Sequence, residues 1–156
     1  MPVRGIVSHI DLNVSDPSRS IPFYARVLEY LGMQRFWVNP PDGRVAPEDA
    51  TRSDRCAWWA LYHGGAVFGL EIRPPAFDPP RQVHERYSPG LDHLAFHASS
   101  REDVNGLYAL LQSAEVPVSD PPREYPEYSP GYYAVAFDDP DGIKLEVVYE
   151  PGTNPA

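Results

Sequence analysis

Apolar and polar residues alternate over residues 6–14: Ile6, Ile10, Leu12 and Val14 share one parity, and Val7, His9, Asp11 and Asn13 share the other. A half-buried strand has this two-residue period, which sets His9 on the face away from the apolar row. Asp16-Pro17-Ser18 reads as a helix start, and Ile21, Tyr24, Val27, Leu28 and Leu31 follow at helical spacing until Gly32 stops the run. Residues 33–38 predict a second strand, and the polar stretch 39–54 predicts a loop. Residues 56–62 and 66–72 predict two further strands, joined at His63-Gly64-Gly65, a hairpin signal. The first half is thus β-α-β-β-β.

The second half repeats that order. Residues 91–98 copy the first strand, with Leu94, Phe96 and Ala98 lying 84 positions after Ile10, Leu12 and Val14. Ser99 with Glu102 reads as a capping box ahead of the helical stripe Val104, Leu107, Tyr108 and Leu111. A short strand is expected at 116–119 or 123–126. Two more follow at 131–137 and 143–149, joined by the turn Asp138-Asp139-Pro140-Asp141-Gly142. Prolines cluster at 40–47, 74–89 and 117–130, which marks loops and not strand interiors. The fold class expected is α+β, a single domain over 1–156. It comprises module one at 4–73, a connector at 74–89 and module two at 90–150.

The repeat carries chemistry. His9 and His93 are 84 residues apart, and Glu71 and Glu146 are 75 apart. The first half therefore holds nine extra residues, most simply in the 39–54 loop. All four side chains lie off the apolar row of their strands. Two imidazoles and two carboxylates suit a divalent metal. Asp11 and Asn13 share the His9 face, and His97 shares the parity of His93. Trp58 and Trp59 point to opposite faces, one toward core and one toward a pocket. Tyr125, Tyr128, Tyr132 and Tyr133 form an aromatic cluster, with Tyr133 the candidate for the site.

A net charge of −9 argues against nucleic acid or an anionic membrane as main partner and leaves a small-molecule substrate. The single cysteine, Cys56, allows no intrachain disulfide, so a cytoplasmic compartment is expected. No basic-plus-apolar leader and no run of 18 apolar residues is present, so neither a signal peptide nor a membrane span is expected. A symmetric homodimer is the expected assembly.

Four segments carry a family resemblance: His9 to Asp16; Phe23-Tyr24 with Val27-Leu28; Gly90-Leu91-Asp92-His93-Leu94-Ala95-Phe96; and Asp139-Pro140-Asp141-Gly142-Ile143-Lys144-Leu145-Glu146. In this order and spacing the chain resembles the vicinal oxygen chelate superfamily of glyoxalases, bleomycin-resistance proteins and extradiol dioxygenases. The likeness runs over about residues 4–150. It implies tandem β-α-β-β-β modules in a cupped, mainly antiparallel sheet with the helices outside. It also implies one divalent metal ion (Zn, Ni, Mn, Co or Fe) on His9, Glu71, His93 and Glu146. A His2Glu2 set looks like glyoxalase I, which implies a metal-dependent lyase or isomerase with Glu146 or Glu71 moving a proton. The alternatives are an Fe(II) extradiol-type dioxygenase using His9, His93 and Glu146, and a non-catalytic antibiotic-binding protein. Glyoxalase I also needs cations for the glutathione carboxylates. Arg19, Arg35, Arg73 and Arg123 are the candidates, and none lies in a diagnostic motif.

Overall fold

The computed structural model describes residues 7–37, 56–75 and 84–152. The chain divides into two compact units, Met1–Val83 and His84–Ala156. Unit one contains β1 (His9–Asn13), α1 (Pro17–Tyr30), β2 (Gln34–Trp37), β3 (Ala57–His63) and β4 (Ala66–Arg73). Unit two contains β5 (His93–His97), α2 (Arg101–Ser113), β6 (Val118–Glu124), β7 (Tyr133–Asp138) and β8 (Lys144–Tyr149). Each is the β-α-β-β-β order expected. The 39–54 loop and residues 76–83 of the 74–89 connector lie outside the described residues. Among those described, no helix is long and apolar enough to cross a membrane.

Each unit has one four-stranded sheet, ordered β1-β4-β3-β2 and β5-β8-β7-β6. The first pair in each order is parallel and the others are antiparallel. The repeat holds down to the ladder. His9 pairs with Gly69 and Asp11 with Glu71, while His93 pairs with Lys144 and Ala95 with Glu146. Each His therefore sits diagonally from its Glu on one face of a parallel pair. Trp58 faces Glu71 and Ala136 faces Glu146, an offset of 78. Six of the nine extra residues thus precede β3, and the other three lengthen the β3–β4 hairpin.

Helix chemistry explains the boundaries. The Asp16 carboxylate accepts from the Ser18 N–H at 3.0 Å, and its bond to the Ser18 side chain leads in holding its pKa below the usual range. Pro22 lies in the second turn and costs α1 the bond its N–H would give to Ser18 O, yet the helix continues to Tyr30. The α1 helix ends on Gly32 at φ +84°, where Met33 N–H donates to Leu28 O at 2.9 Å. The α2 helix ends the same way, with Glu115 in the left-handed position and Val116 N–H donating to Leu111 O at 3.0 Å.

Two sequence expectations are corrected here. The α2 cap is one residue later than the Ser99–Glu102 box: Ser100 Oγ accepts from Asp103 N–H, and the Asp103 carboxylate accepts from Ser99 N–H, both at 3.1 Å. A strand also runs through Pro121-Pro122. It is tolerated because β6 is the sheet edge and its register shifts between Asp120 and Arg123, so no ladder donor is lost.

Each core lies between a sheet and its helix. In unit one, Leu12, Trp59, Leu70 and Ile72 are buried with Tyr24, Val27 and Leu28 of α1; in unit two, Val135, Phe137, Leu145 and Val147 are buried with Val104, Leu107 and Leu111 of α2. Tyr108, expected in that stripe, is half-buried and its hydroxyl accepts from Gln112 at 3.0 Å. The opposite sheet faces carry His9, Glu71, His93 and Glu146.

Candidate functional site

In unit two, the parallel β5–β8 ladder brings His93 to Glu146. His93 Nε2 lies 3.6 Å from Glu146 Oε2. Each partner is held from its far side. His93 Nδ1 is 2.7 Å from the Asp92 carboxylate, so Nδ1 donates there and Nε2 is the ring nitrogen turned toward Glu146. That bond is also the leading cause that holds Asp92 below the usual carboxylate range. The Tyr132 hydroxyl donates to Glu146 Oε1 at 2.5 Å. Burial, then the adjoining carboxylate, push the Tyr132 phenol well above the ordinary tyrosine range, so it remains a donor. His93 is 40% exposed and Glu146 12%, which places the pair at an open face.

In unit one, His9 and Glu71 occupy the corresponding ladder positions. His9 Nδ1 is 3.4 Å from Ser8 Oγ, the residue that corresponds to Asp92. Arg73 lies between two carboxylates, 3.2 Å from Asp11 and 3.8 Å from Glu71. Trp58 lies flat over Gly69: a Cβ there would be 2.2 Å from Trp58 Cζ2, so only glycine admits the ring. The indole is 5.9 Å from the His9 ring, tilted by 50°. An aromatic wall therefore stands beside His9. Unit two has Lys144 and Ala136 at the equivalent positions and no such wall.

The candidates sort by face. Asp11 and Asn13 lie on the His9 face, and His97 on the His93 face, all exposed. Trp58 and Trp59 divide as expected, and Trp59 is withdrawn from the site: it is fully buried and donates from Nε1 to Glu29 at 3.3 Å. Tyr133 is likewise a correction. It faces α2, where its hydroxyl donates to Asn105 at 2.9 Å and Arg101 stacks on its ring. Tyr132 takes the place expected of it. Parity could have shown this, because Tyr132 shares the face of Ala134, Ala136 and Glu146. The residues directly before the two histidines, Ser8 and Asp92, were also overlooked. The four candidate arginines are engaged locally: Arg19 with Ser15, Arg35 over Trp59, Arg73 with Asp11, and Arg123 over Tyr125.

Among the described residues, no three or more His, Cys, Asp or Glu side chains gather into a metal-holding group. Each unit presents one His and one Glu on the sheet face away from its helix.

The model of the Glyoxalase/Bleomycin resistance protein/Dioxygenase superfamily matches residues 6–147. The chain belongs to this superfamily. Its members typically use a divalent metal. An uncharacterized protein of Bacillus subtilis (strain 168), YqjT, is 29% identical over 140 residues, covering 90% of this chain and 95% of that protein. The crystal structure of a candidate glyoxalase from Bacillus halodurans is similar at a TM-score of 0.70 and 27% identity, over 94% of this chain and 97% of that one. A lactoylglutathione lyase from Agrobacterium tumefaciens shares the fold at a TM-score of 0.57 and 19% identity, over 96% of both chains.

Proposed function

We propose that this protein is a divalent-metal-dependent lyase or isomerase of glyoxalase type, acting on a small oxygenated molecule that chelates the metal. The observation that carries the proposal is the His93–Glu146 pair, 3.6 Å apart between Nε2 and Oε2 and braced by Asp92 and Tyr132. Bonds of about 2.1 Å to one ion set two ligand atoms about 3 Å apart at right angles and about 3.4 Å apart in a tetrahedron. The pair, at 3.6 Å, stands slightly wider than the tetrahedral spacing, and a small side-chain rotation would close it. His9 and Glu71 hold the matching ladder positions and complete the His2Glu2 set. Mixed nitrogen and oxygen donors accept Zn, Ni, Mn, Co and Fe. When bound, the metal supplies Lewis-acid polarisation of a substrate oxygen, which acidifies the adjacent C–H. The proton goes to a carboxylate, Glu71 or Glu146. Trp58 gives the apolar contact that orients the rest of the molecule.

A second reading has its own observation. Arg73 lies 3.8 Å from Glu71 and ties it to Asp11. With Glu71 so occupied, His9, His93 and Glu146 are a two-His, one-carboxylate triad suited to Fe(II) and oxygen.

Elemental analysis of protein purified without added metal separates the two, comparing wild type with Glu71→Ala and His93→Ala. About one Zn, Ni or Mn per chain, lost in both variants, is the result expected of the four-ligand reading. Iron kept in Glu71→Ala and lost in His93→Ala would establish the triad. Wild type that holds no metal and takes up none on reconstitution would overturn both in favour of a non-catalytic binding protein.

A further inference from the structure

We propose that Tyr132 is the positioning residue of Glu146: its hydroxyl occupies Oε1, so the carboxylate offers Oε2 alone beside His93 Nε2. This rests on the metal-site reading above. The β6–β7 connection is built to aim that hydroxyl. Tyr128 N–H donates to Tyr125 O at 3.0 Å, Tyr132 N–H to Ser129 O at 3.2 Å, and Tyr125 N–H to Tyr132 O at 2.9 Å. Ser129 Oγ ties the turn to Glu150 at 2.6 Å.

The three tyrosine rings lock one another. Tyr125 and Tyr128 stack at 5.8 Å, and Tyr132 meets them edge-on at 6.1 and 5.3 Å. Tyr125 is seated on Ala134 and Val148, with Tyr132 packed against the group. Alanines at 134 and 136 keep the sheet face low enough for the rings to lie across it. A ring wedged in this way has one place for its oxygen, and that place is Glu146. With one lone pair of Oε1 given to Tyr132, Oε2 is the oxygen left free beside His93, and it would be the one offered to a metal. Supporting bonds of this kind carry about 10–100-fold in metal affinity.

The test uses the full chain, made metal-free and titrated with Co(II). Wild type, Tyr132→Phe and Tyr133→Phe are compared for Kd, for visible absorption at saturating Co(II), and for the melting temperature of the metal-free protein. Tyr132→Phe keeps the ring, so its melting temperature should stay near wild type. Its Kd should rise about 10–100-fold, and its saturated absorption bands should change as Glu146 rotates. Tyr133→Phe should change neither, because that hydroxyl is spent on Asn105. A merely structural role would leave the saturated bands unaltered. Wild-type Kd and bands in Tyr132→Phe would overturn the positioning role alone. Wild type that binds no Co(II) would overturn the metal site, and the positioning role with it.

Discussion

Trp59→Ala is expected to cost about 3–5 kcal/mol, the range for truncating a fully buried tryptophan. Trp59 has no exposed surface, shares the core with the α1 stripe, donates to Glu29 at 3.3 Å and carries Arg35 on its ring at 5.4 Å. Truncation removes all of these and leaves a cavity that Leu70 and Val27 are too well packed to close. Trp58→Ala removes the same chemistry from the other side of the strand. That ring is half-buried over Gly69, so its loss should cost about 1 kcal/mol. The effect of Trp58→Ala should appear in ligand binding, since the wall beside His9 is gone. Urea unfolding of both variants checks this: two similar midpoints would mean that the faces of β3 have been assigned wrongly.

Glu146→Ala is expected to lower metal affinity more than about 100-fold, beyond what supporting groups carry, because on the proposed reading Glu146 is itself a ligand. It also leaves the Tyr132 hydroxyl without its acceptor and His93 Nε2 without its 3.6 Å neighbour. Glu146→Gln keeps a single amide oxygen, for which the Tyr132 hydroxyl and the metal would compete. It should fall between the alanine variant and wild type. Equal affinity for Glu146→Ala and wild type, in competition with a chelating dye, would remove Glu146 from the ligand set.

Much of the fold was legible because the signals are local. Alternation in β1 and β5, helical stripes in α1 and α2, and the Gly64-Gly65 and Asp139–Gly142 turns each follow from the period or from the residue that a turn requires. Asp139 shows why the second turn is so readable: its carboxylate accepts from Asp141 and Ile143 N–H, both at 2.8 Å. One His and one Glu per module were legible through the repeat, but their offsets of 84 and 75 differ, so the register that pairs them was not.

Contacts that depend on a bulge or a ring's path were not legible. A strand through Pro121-Pro122 is invisible to propensity, because only its edge position permits it. Tyr132 and Tyr133 are equivalent in composition, and one step in a strand reverses the face. The Ser99–Glu102 box failed by one residue for a similar reason, since Ser99 and Ser100 can both cap. Gly69 has an ordinary extended backbone, so nothing in its sequence context announces that Trp58 lies on it.

We propose His9, Glu71, His93 and Glu146 as the ligands of one divalent metal, within one chain or across a dimer. Calorimetric titration of the metal-free protein with Zn(II), for wild type, His9→Ala and His93→Ala, tests it most directly. The account predicts one ion per chain in wild type and no binding of comparable affinity in either variant. Two ions per chain, or one ion that survives either substitution, would contradict it.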